Sequence, residues 1–303
     1  MTAKLEERNG LDILTMEAMN STFYIAVSDC KFSNWKEVIF GWINYVDREW
    51  SRFNSDNELG MVNKLPIGET MALSPPLFDV LDKAGFYREK STGLFSPYLL
   101  PQLEYHGYQH SFPFTTSKKV NTGMPNVYNE EGSPFQFDSF TRTIKRISEG
   151  KIDLGGIGKG YTVQAAANWL KHFGNSTSGI VDGGGDLTVW SNGQKEWRIG
   201  VSHPYKHNLE IAQFRLKNAS IATSNVIFRS WTQGNQKKHH VLNGRTGLPV
   251  ESNIIQATAI TGNCLDAEVA AKLCLMVESH KVKEQIPVHS LLLITDDGKI
   301  INE

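Results

Sequence analysis

The chain has 303 residues, 40% of them hydrophobic, and can bury a large core as one domain or as two intimate ones. Its 31 basic and 32 acidic residues nearly cancel, and without a basic run we expect no nucleic-acid partner. Its three cysteines form no C-x-x-C pair, which argues against a disulfide framework and a thiolate metal cluster. We expect Cys30, Cys264 and Cys274 to be buried as small hydrophobic residues.

The start of the chain is polar, and residues 1–14 are predicted to form an N-terminal extension without the apolar core of a signal peptide. No apolar stretch approaches the roughly 20 residues that span a bilayer, so we expect no transmembrane segment. As given, the sequence predicts a cytoplasmic protein. A chain whose export signal had been trimmed would look the same, so export and membrane anchoring stay open.

The first half of the chain alternates strand and helix signals. The aromatic and β-branched run Thr22–Val27 predicts a strand, and Ser33-Asn34 offers an N-cap for an aromatic-rich helix from Trp35 to Val46. A second helix is predicted from Ser74-Pro75-Pro76, because proline suits a first helical turn. From Tyr105 to Glu149 the composition predicts an elaborated loop with one strand at Phe135–Ile147.

The second half is predicted to be richer in strands, and the change of character near residue 151 divides the chain into subdomains of about 15–150 and 151–303. Helices are expected at Tyr161–Phe173, ended by Gly174, and at Leu265–Val277. The predicted strands are Asp186–Trp190, Trp197–Val201, Ile211–Leu216, Ile254–Ile260 and Leu291–Ile294. This mixed order favours an α+β fold over a regular βαβ alternation.

Three segments place glycines beside charged groups: Asp153–Tyr161, Val181–Asp186 and His239–Pro249. In the first, the glycines allow close approach of a ligand, and the N-terminal amides of the following helix can meet an anion such as a pyrophosphate. The spacing matches neither the P-loop nor the Rossmann glycine pattern. On glycine content alone, a tight turn without a ligand is an equally good interpretation.

The combination of these segments resembles the ApbE family of FAD:protein FMN transferases. Asp153-Leu-Gly-Gly-Ile-Gly-Lys-Gly-Tyr161 is similar to the family's D-L-G-G-[IV]-[AG]-K-G-Y element, and His240–Pro249 to its H-I-x-D-P-R-T-G-x-P element. Val181–Leu187 is similar to the family's second glycine element, and Ile221–Ser224 to its A-T-S-G element. Weaker likenesses lie upstream at Ala18-Met19, Trp50–Leu59 and Thr92–Pro97, and from about residue 15 to 280 the motifs keep the family order.

The resemblance implies an ApbE-like flavin transferase domain over residues 15–280. Its fold would be α+β, with largely antiparallel sheets, packed helices and a glycine-rich FAD site between the two halves. The implied reaction is Mg²⁺-dependent transfer of FMN from FAD to a Thr or Ser hydroxyl of an acceptor flavoprotein, with release of AMP.

The resemblance also implies which side chains form the site. The residues implied to contact FAD are Met19, Phe53, Leu94, Phe95, Ser96, Asp153, Lys159 and Val241. An aromatic ring at Phe53 suits stacking on a flat ligand. The carbonyl of Gly156 and the carboxylate of Asp266 would hold Mg²⁺, and His240 would be the general base, since an imidazole can take a hydroxyl proton near neutral pH.

The chain departs from the family pattern at several of these positions. Ala270 stands where the late helix usually carries a second metal ligand, Thr, and Thr261, Asn263 or Glu268 could supply the missing oxygen. Asn243-Gly244 replaces Asp-Pro, Ser96 replaces an Asp, and Asn225 replaces a Gly. Two further functions therefore stay open: a non-catalytic FAD-binding protein with a degenerate metal site, and an FAD hydrolase that yields FMN and AMP.

Each residue also has a purely structural interpretation. Phe53 could be part of the core, Asp266 could cap its helix, and His240 could be a hydrogen-bonded strand residue. The shared order of the motifs favours the functional interpretation for the set.

Overall fold

The computed structural model describes residues 4–8, 10–117, 123–127, 133–193, 195–206 and 208–303. The helices in these ranges are α1 Trp35–Glu49, α2 Glu58–Lys64, α3 Pro75–Lys90, α4 Leu100–Tyr105, α5 Gly158–Asn168, α6 Cys264–Leu273 and α7 Ser279–Gln285. A π-helical turn at Trp169–Phe173 continues α5. Within the described ranges, no helix combines the length and apolar character that crossing a bilayer requires.

The strands in chain order are β1 Lys4–Arg8, β2 Leu11–Ala18, β3 Ser21–Ser28, β4 Thr70–Ala72, β5 Thr116–Ser117, β6 Phe135–Asp138, β7 Thr143–Arg146, β8 Ser178–Asp182, β9 Asp186–Ser191, β10 Trp197–Ser202, β11 Glu210–Leu216, β12 Ala219–Asn225, β13 Ser230–Gln233, β14 Gln236–His239, β15 Ile254–Thr261, β16 Val288–Thr295 and β17 Ile300–Asn302. Together with the helices they form the mixed α+β fold with largely antiparallel sheets that the sequence predicts.

The chain divides into two compact units, each built from separate stretches of sequence. Unit 1 comprises Met1–Asp47, Lys159–Asn225 and Asn253–Glu303, and unit 2 comprises Arg48–Gly158 and Val226–Ser252. This division differs from the two consecutive halves expected near residue 151. The reason is long-range strand pairing, because β3 pairs antiparallel with β8 and so joins the start of the chain to its second half.

Unit 1 is organised around an antiparallel sheet. Within the described residues this sheet has nine strands in the order β1-β2-β3-β8-β9-β12-β15-β16-β17. Successive residues of its strands enter different hydrophobic clusters: Ile25 and Val181 pack with Trp35 and Leu170, whereas Ala26 and Ile180 pack with residues that include Val201. Since side chains alternate across a strand, both faces of the sheet are buried at β3 and β8.

The polar start of the chain belongs to this sheet. Lys4–Arg8 pairs antiparallel with Leu11–Ala18, which in turn pairs with Ser21–Ser28. The residues expected to form an extension therefore carry strands where the structure describes them.

Unit 2 contains α2, α3, α4 and two small sheets, β4-β7-β6 and β14-β13-β5. The single strand expected at Phe135–Ile147 is a hairpin of β6 and β7. An aromatic and aliphatic cluster lies in this unit and includes Leu99, Leu103, Tyr108, Trp231 and Leu242.

The predicted helices Trp35–Val46 and Ser74 onward are confirmed as α1 and α3. α5 begins at Gly158, inside the glycine motif and three residues before the expected Tyr161, and α6 ends at Leu273 instead of Val277. Cys264 and Cys274 are buried free thiols, and Cys30 is half-buried.

Candidate functional site

The expected site residues fall in both units. Unit 2 holds Phe53, Leu94, Phe95, Ser96, Asp153, Gly156, His240 and Val241, and unit 1 holds Met19, Lys159, Asp266 and Ala270.

In unit 2, the first part of the glycine motif is a turn closed by its own hydrogen bonds. The backbone N–H of Asp153 donates to the carbonyl of Pro97 at 2.8 Å, and that of Gly158 donates to Leu154 at 2.7 Å. One carboxylate oxygen of Asp153, Oδ2, accepts from the Gly155 N–H at 3.2 Å. The Asp153 side chain therefore shapes the turn that begins the motif.

The other carboxylate oxygen of Asp153 is 3.3 Å from the guanidinium of Arg52, and the two side chains are only 14% and 7% exposed. The same guanidinium lies over the rings of Phe53 and Tyr108, at 4.7 Å and 4.1 Å from their centroids. Planar guanidinium groups suit this combination of ion pair and stacking. Arg52 was not among the expected site residues, although it directly precedes Phe53 in a segment that resembles the family.

Phe53 is 45% exposed, so it is not a core residue. Its ring centroid is 6.0 Å from that of Tyr108, which is buried. A ring supported by a guanidinium and partly open to solvent offers surface on which a flat aromatic ligand can stack.

Two motifs of unit 2 meet through their backbones. The N–H of Gly244 donates to the carbonyl of Leu94 at 2.8 Å, and Arg245 Nε donates to the carbonyl of Thr92 at 2.8 Å. Leu94 and Phe95 are buried, and the Ser96 hydroxyl oxygen accepts from the Tyr98 N–H at 3.3 Å. The structure therefore holds the turn that contains residues 94–96 against the segment that follows His240.

His240 directly follows β14 and is half-buried. Its Nδ1 is 3.3 Å from the carbonyl of Arg229, and a proton on Nδ1 that donates there makes Nε2 the basic nitrogen. Val241 is buried, and its carbonyl accepts from the Val250 N–H at 3.1 Å. At the neighbouring His239, burial lowers the pKa of the imidazole, and Nε2 lies 3.0 Å from the carbonyl of Val250.

In unit 1, Lys159 pairs with the buried carboxylate of Asp186 at the start of β9. The next residue, Gly160, donates its N–H to Glu268 Oε2 at 2.7 Å, and Glu268 Oε1 is 2.9 Å from Lys272 Nζ. Burial by itself would raise the pKa of Glu268, but the ammonium groups of Lys272 and Lys159 and the Gly160 hydrogen bond lower it below its ordinary value. At Gly160 the anion that the amide meets is therefore a carboxylate of the protein itself; binding of a pyrophosphate by the other first amides of this helix stays a prediction.

The second glycine element forms a tight turn between β8 and β9. Asp182 Oδ1 accepts from the N–H groups of Gly184 and Gly185 at 2.8 Å and 3.0 Å. Gly184 and Gly185 have φ values of +84° and +102°, which other residues rarely adopt. Burial raises the pKa of the Asp182 carboxyl, an effect that these hydrogen bonds and Lys159 partly offset.

Met19 lies in the turn between β2 and β3 of unit 1, with a positive φ of 52°. Its N–H donates to the Asp47 carboxylate at 2.7 Å, and its side chain packs partly buried against the cluster around Trp35. These contacts fix the position of Met19 within unit 1. A contact between Met19 and the flavin stays a prediction.

The expected metal ligand Asp266 lies in the first turn of α6, where Asn263 is the N-cap. The Asn263 side chain accepts from the Asp266 N–H at 2.9 Å and also donates to the Asp266 carboxylate. Asp266 is therefore not the cap of this helix, as its structural interpretation expected; its carboxylate instead accepts a hydrogen bond from the cap residue, Asn263.

One turn later, Ala270 is fully buried and offers no oxygen. Of the substitutes considered, the Thr261 hydroxyl donates to the Asn263 carbonyl at 2.5 Å, Asn263 caps α6, and Glu268 binds Gly160 and Lys272. Within the described part of the chain, no group of three His, Cys, Asp or Glu residues could hold a metal. A single carboxylate suits a Mg²⁺ ion whose coordination shell is completed by substrate phosphates and water. It does not suit a site in which the protein supplies all the ligands.

Comparisons with known proteins agree with the motif order. Residues 19–291 match the sequence model of the ApbE family. Over 318 aligned residues the chain is 23% identical to an FAD:protein FMN transferase of Rhodobacter capsulatus, covering 99% of this chain and 60% of that protein. It is 27% identical over 261 residues to an FAD:protein FMN transferase of Chlamydia pneumoniae, covering 84% of this chain and 80% of that protein.

The fold is also that of solved ApbE structures. The ApbE protein of Thermotoga maritima aligns with a TM-score of 0.80 at 23% identity, covering 97% of each chain. The flavin transferase ApbE of Vibrio cholerae aligns with a TM-score of 0.75 at 18% identity, covering 100% of this chain and 97% of that one. At these identities the structural likeness establishes the fold.

Proposed function

Because this chain belongs to the ApbE family, we propose that it transfers the FMN part of FAD to a Thr or Ser hydroxyl of an acceptor flavoprotein and releases AMP. Relatives named FAD:protein FMN transferase support this activity, although the chain spans only 60% of the Rhodobacter capsulatus protein and 71% of the one from Chlamydia muridarum. The observation that carries the proposal is the packing of the motifs in unit 2, where Arg52 joins Phe53 to Asp153 and Gly244 joins the His240 segment to Leu94.

In the proposed reaction, the acceptor hydroxyl oxygen attacks the FMN-side phosphorus of FAD. A bond forms between that oxygen and the phosphorus, and the bond from the phosphorus to the bridging oxygen breaks, so that AMP leaves with the bridging oxygen. His240 takes the hydroxyl proton at Nε2, while Nδ1 faces the Arg229 carbonyl. Most of the catalysis in such transfers comes from positioning and charge stabilisation.

The flavin ring would stack on Phe53, which Arg52 supports from the protein side. Met19, Ser96 and Val241 would complete the flavin contacts, as the resemblance implies. The ammonium of Lys159 would contribute positive charge toward the phosphates, and its pairing with Asp186 gives that charge a defined position.

Asp266 would hold Mg²⁺ together with the FAD phosphates and, as the resemblance implies, the carbonyl of Gly156. Such an ion neutralises charge on the diphosphate when it is bound. With Ala270 in place of a second side-chain ligand, we expect weaker metal binding than two side-chain ligands would give.

Ala270 also favours one alternative from another functional class, a protein that binds FAD without transferring FMN. One experiment distinguishes the transferase from the binding protein. The purified protein is incubated with FAD, Mg²⁺ and a flavin-acceptor domain, the acceptor is analysed by intact-mass spectrometry, and the nucleotides are separated by chromatography. The matched control is the same acceptor with its target Thr or Ser replaced by Ala.

A mass gain of one FMN on the acceptor, absent from the Ala control, together with AMP supports the transferase. Free FMN and AMP without a modified acceptor would mean hydrolysis, and intact bound FAD would mean a binding protein. Either result overturns the proposed transfer.

A further inference from the structure

We propose that Glu268 is a positioning residue that fixes the first turn of α5 and thereby places Lys159 for FAD binding; this inference rests on the proposed function. Glu268 lies on α6, between Asp266 and Ala270 in sequence. The sequence suggests it only as a substitute metal ligand, and its contacts in unit 1 point to a different role.

The contact between Glu268 and α5 is direct and closely packed. Glu268 is 1% exposed, and its Oε2 accepts from the Gly160 N–H at 2.7 Å. A Cβ placed on Gly160 would lie 2.7 Å from Glu268 Oε2 and 2.9 Å from the carbonyl of Cys264. The start of α5 therefore rests against the first turns of α6, and one side chain bridges the two helices.

Lys159 immediately precedes the anchored Gly160, and its own side chain pairs with Asp186 on β9. The backbone beside Lys159 and its ammonium group are thus held from two different elements of unit 1. A lysine side chain has several rotatable bonds, so anchors at both ends restrict where its charge can lie. Loss of the Gly160 anchor should therefore weaken binding of a phosphate-bearing ligand.

The chemistry also indicates which property of Glu268 matters for this role. A buried carboxylate requires a partner, and Lys272 at the next turn of α6 supplies the positive charge. The bond to Gly160 needs only an acceptor oxygen, which a glutamine side chain also has. If Lys272 is replaced by a neutral residue at the same time, Glu268→Gln can keep the hydrogen bond to the Gly160 N–H without leaving a buried charge unpaired.

The test compares two double variants, E268Q/K272M and E268M/K272M. Both remove the ion pair, and only the first keeps an oxygen for the Gly160 N–H. Replacement of a buried ion pair by hydrophobic residues is often neutral for stability, so we expect E268M/K272M to remain folded. The measurements are thermal unfolding, amide hydrogen exchange at residues 158–162, and FAD affinity by flavin fluorescence.

We expect E268M/K272M to exchange the Gly160 amide faster and to bind FAD about tenfold more weakly, as the loss of one hydrogen bond allows. E268Q/K272M should keep the slow exchange and bind within about threefold of the natural chain. Equal exchange and equal FAD affinity in the two variants would overturn the inference. Failure of the natural chain to bind FAD would instead overturn the proposed function, and the exchange at Gly160 would still decide whether Glu268 is the anchor.

Discussion

The backbone N–H of Gly244 donates a 2.8 Å hydrogen bond to the carbonyl oxygen of Leu94, which joins two motifs of unit 2. The family pattern that this segment resembles has proline at the position of Gly244, and proline has no N–H to donate. The departure at Asn243-Gly244 therefore adds a bond between the turn at residues 94–96 and the segment that begins at His240.

The first prediction concerns the close approach at Gly244. A Cβ there would lie 2.6 Å from the Leu94 carbonyl oxygen, so we expect Gly244→Ala to lower the free energy of unfolding by about 1–3 kcal/mol. Gly85→Ala in α3 of the same unit is the matched control, because no atom lies within 4 Å of its Cβ. In a helix interior this change should stabilise by up to about 1 kcal/mol. Chemical denaturation measures both, and equal effects would contradict the packing argument.

The second prediction concerns Arg52. Arg52→Met leaves the largely buried Asp153 carboxylate, 14% exposed, without its cation and should destabilise the protein by about 2 kcal/mol, with weaker FAD binding because Phe53 loses the same support. Arg52→Lys keeps the charge but not the planar stack, so its stability and FAD affinity should lie between those of the natural chain and of Arg52→Met. Lys64→Met breaks the exposed pair with Asp56 and should change little. Equal stability of the Arg52→Met and Lys64→Met variants would remove Arg52 from this role.

The third prediction tests His240 as the base. His240→Ala should lower the rate of FMN transfer by about 10²–10⁴-fold and leave FAD affinity nearly unchanged, because the imidazole is needed for the proton and not for the flavin. His110→Ala, at an exposed position of the same unit, is the control. Single-turnover transfer and fluorescence titration separate the two effects. Full transfer activity in the His240→Ala variant would exclude this role.

The fourth prediction concerns the late helix. Ala270→Thr should strengthen Mg²⁺ binding, because residues 266 and 270 lie one turn apart on the same face of α6. Ala271→Thr fills an equally buried position on a different face and should cost similar stability without a gain in metal affinity. Calorimetric titration of Mg²⁺ in the presence of FAD gives the comparison. Unchanged affinity in Ala270→Thr would mean that the hydroxyl does not reach the ion.

Much of the fold could be predicted where local patterns agree with packing. α1 and α3 have apolar stripes and recognisable first turns, and both helices form as expected. α7 was not predicted, because Ser279–Gln285 is polar and buries Val282 without an apolar stripe. The β6–β7 hairpin was missed for a similar reason, since its turn has no glycine and Arg142 takes the positive φ.

The candidate site was only partly predictable for a different reason. Phe53, Asp153, Lys159 and His240 stand out because they lie in recognisable motifs, but their partners are distant in sequence. Arg52 and Asp153 are 101 residues apart, and Gly160 and Glu268 are 108 residues apart. Local spacing carries no information about such pairs, so the sequence offered Glu268 as a metal ligand where the structure uses it to hold a backbone amide.

The last prediction follows from the raised pKa of Asp182. The folded state holds the Asp182 proton more tightly than the unfolded chain, whose ordinary pKa is 3.8, so stability should fall as pH rises from that value through the raised folded pKa. Asp182→Asn has no proton to lose in this range and keeps an oxygen that can accept from Gly184 and Gly185. Relative to this variant, the natural chain should therefore lose stability between pH 4 and the folded pKa, and the difference should then level off.

Asp138→Asn is a control of opposite sign, because hydrogen bonds from Thr141 and Phe140 lower the pKa of Asp138. Here the natural chain should gain stability relative to the variant as the pH rises toward 3.8. Melting temperatures across the pH series measure both differences, and parallel curves for the natural chain and Asp182→Asn would show that Asp182 titrates alike in the folded and unfolded states.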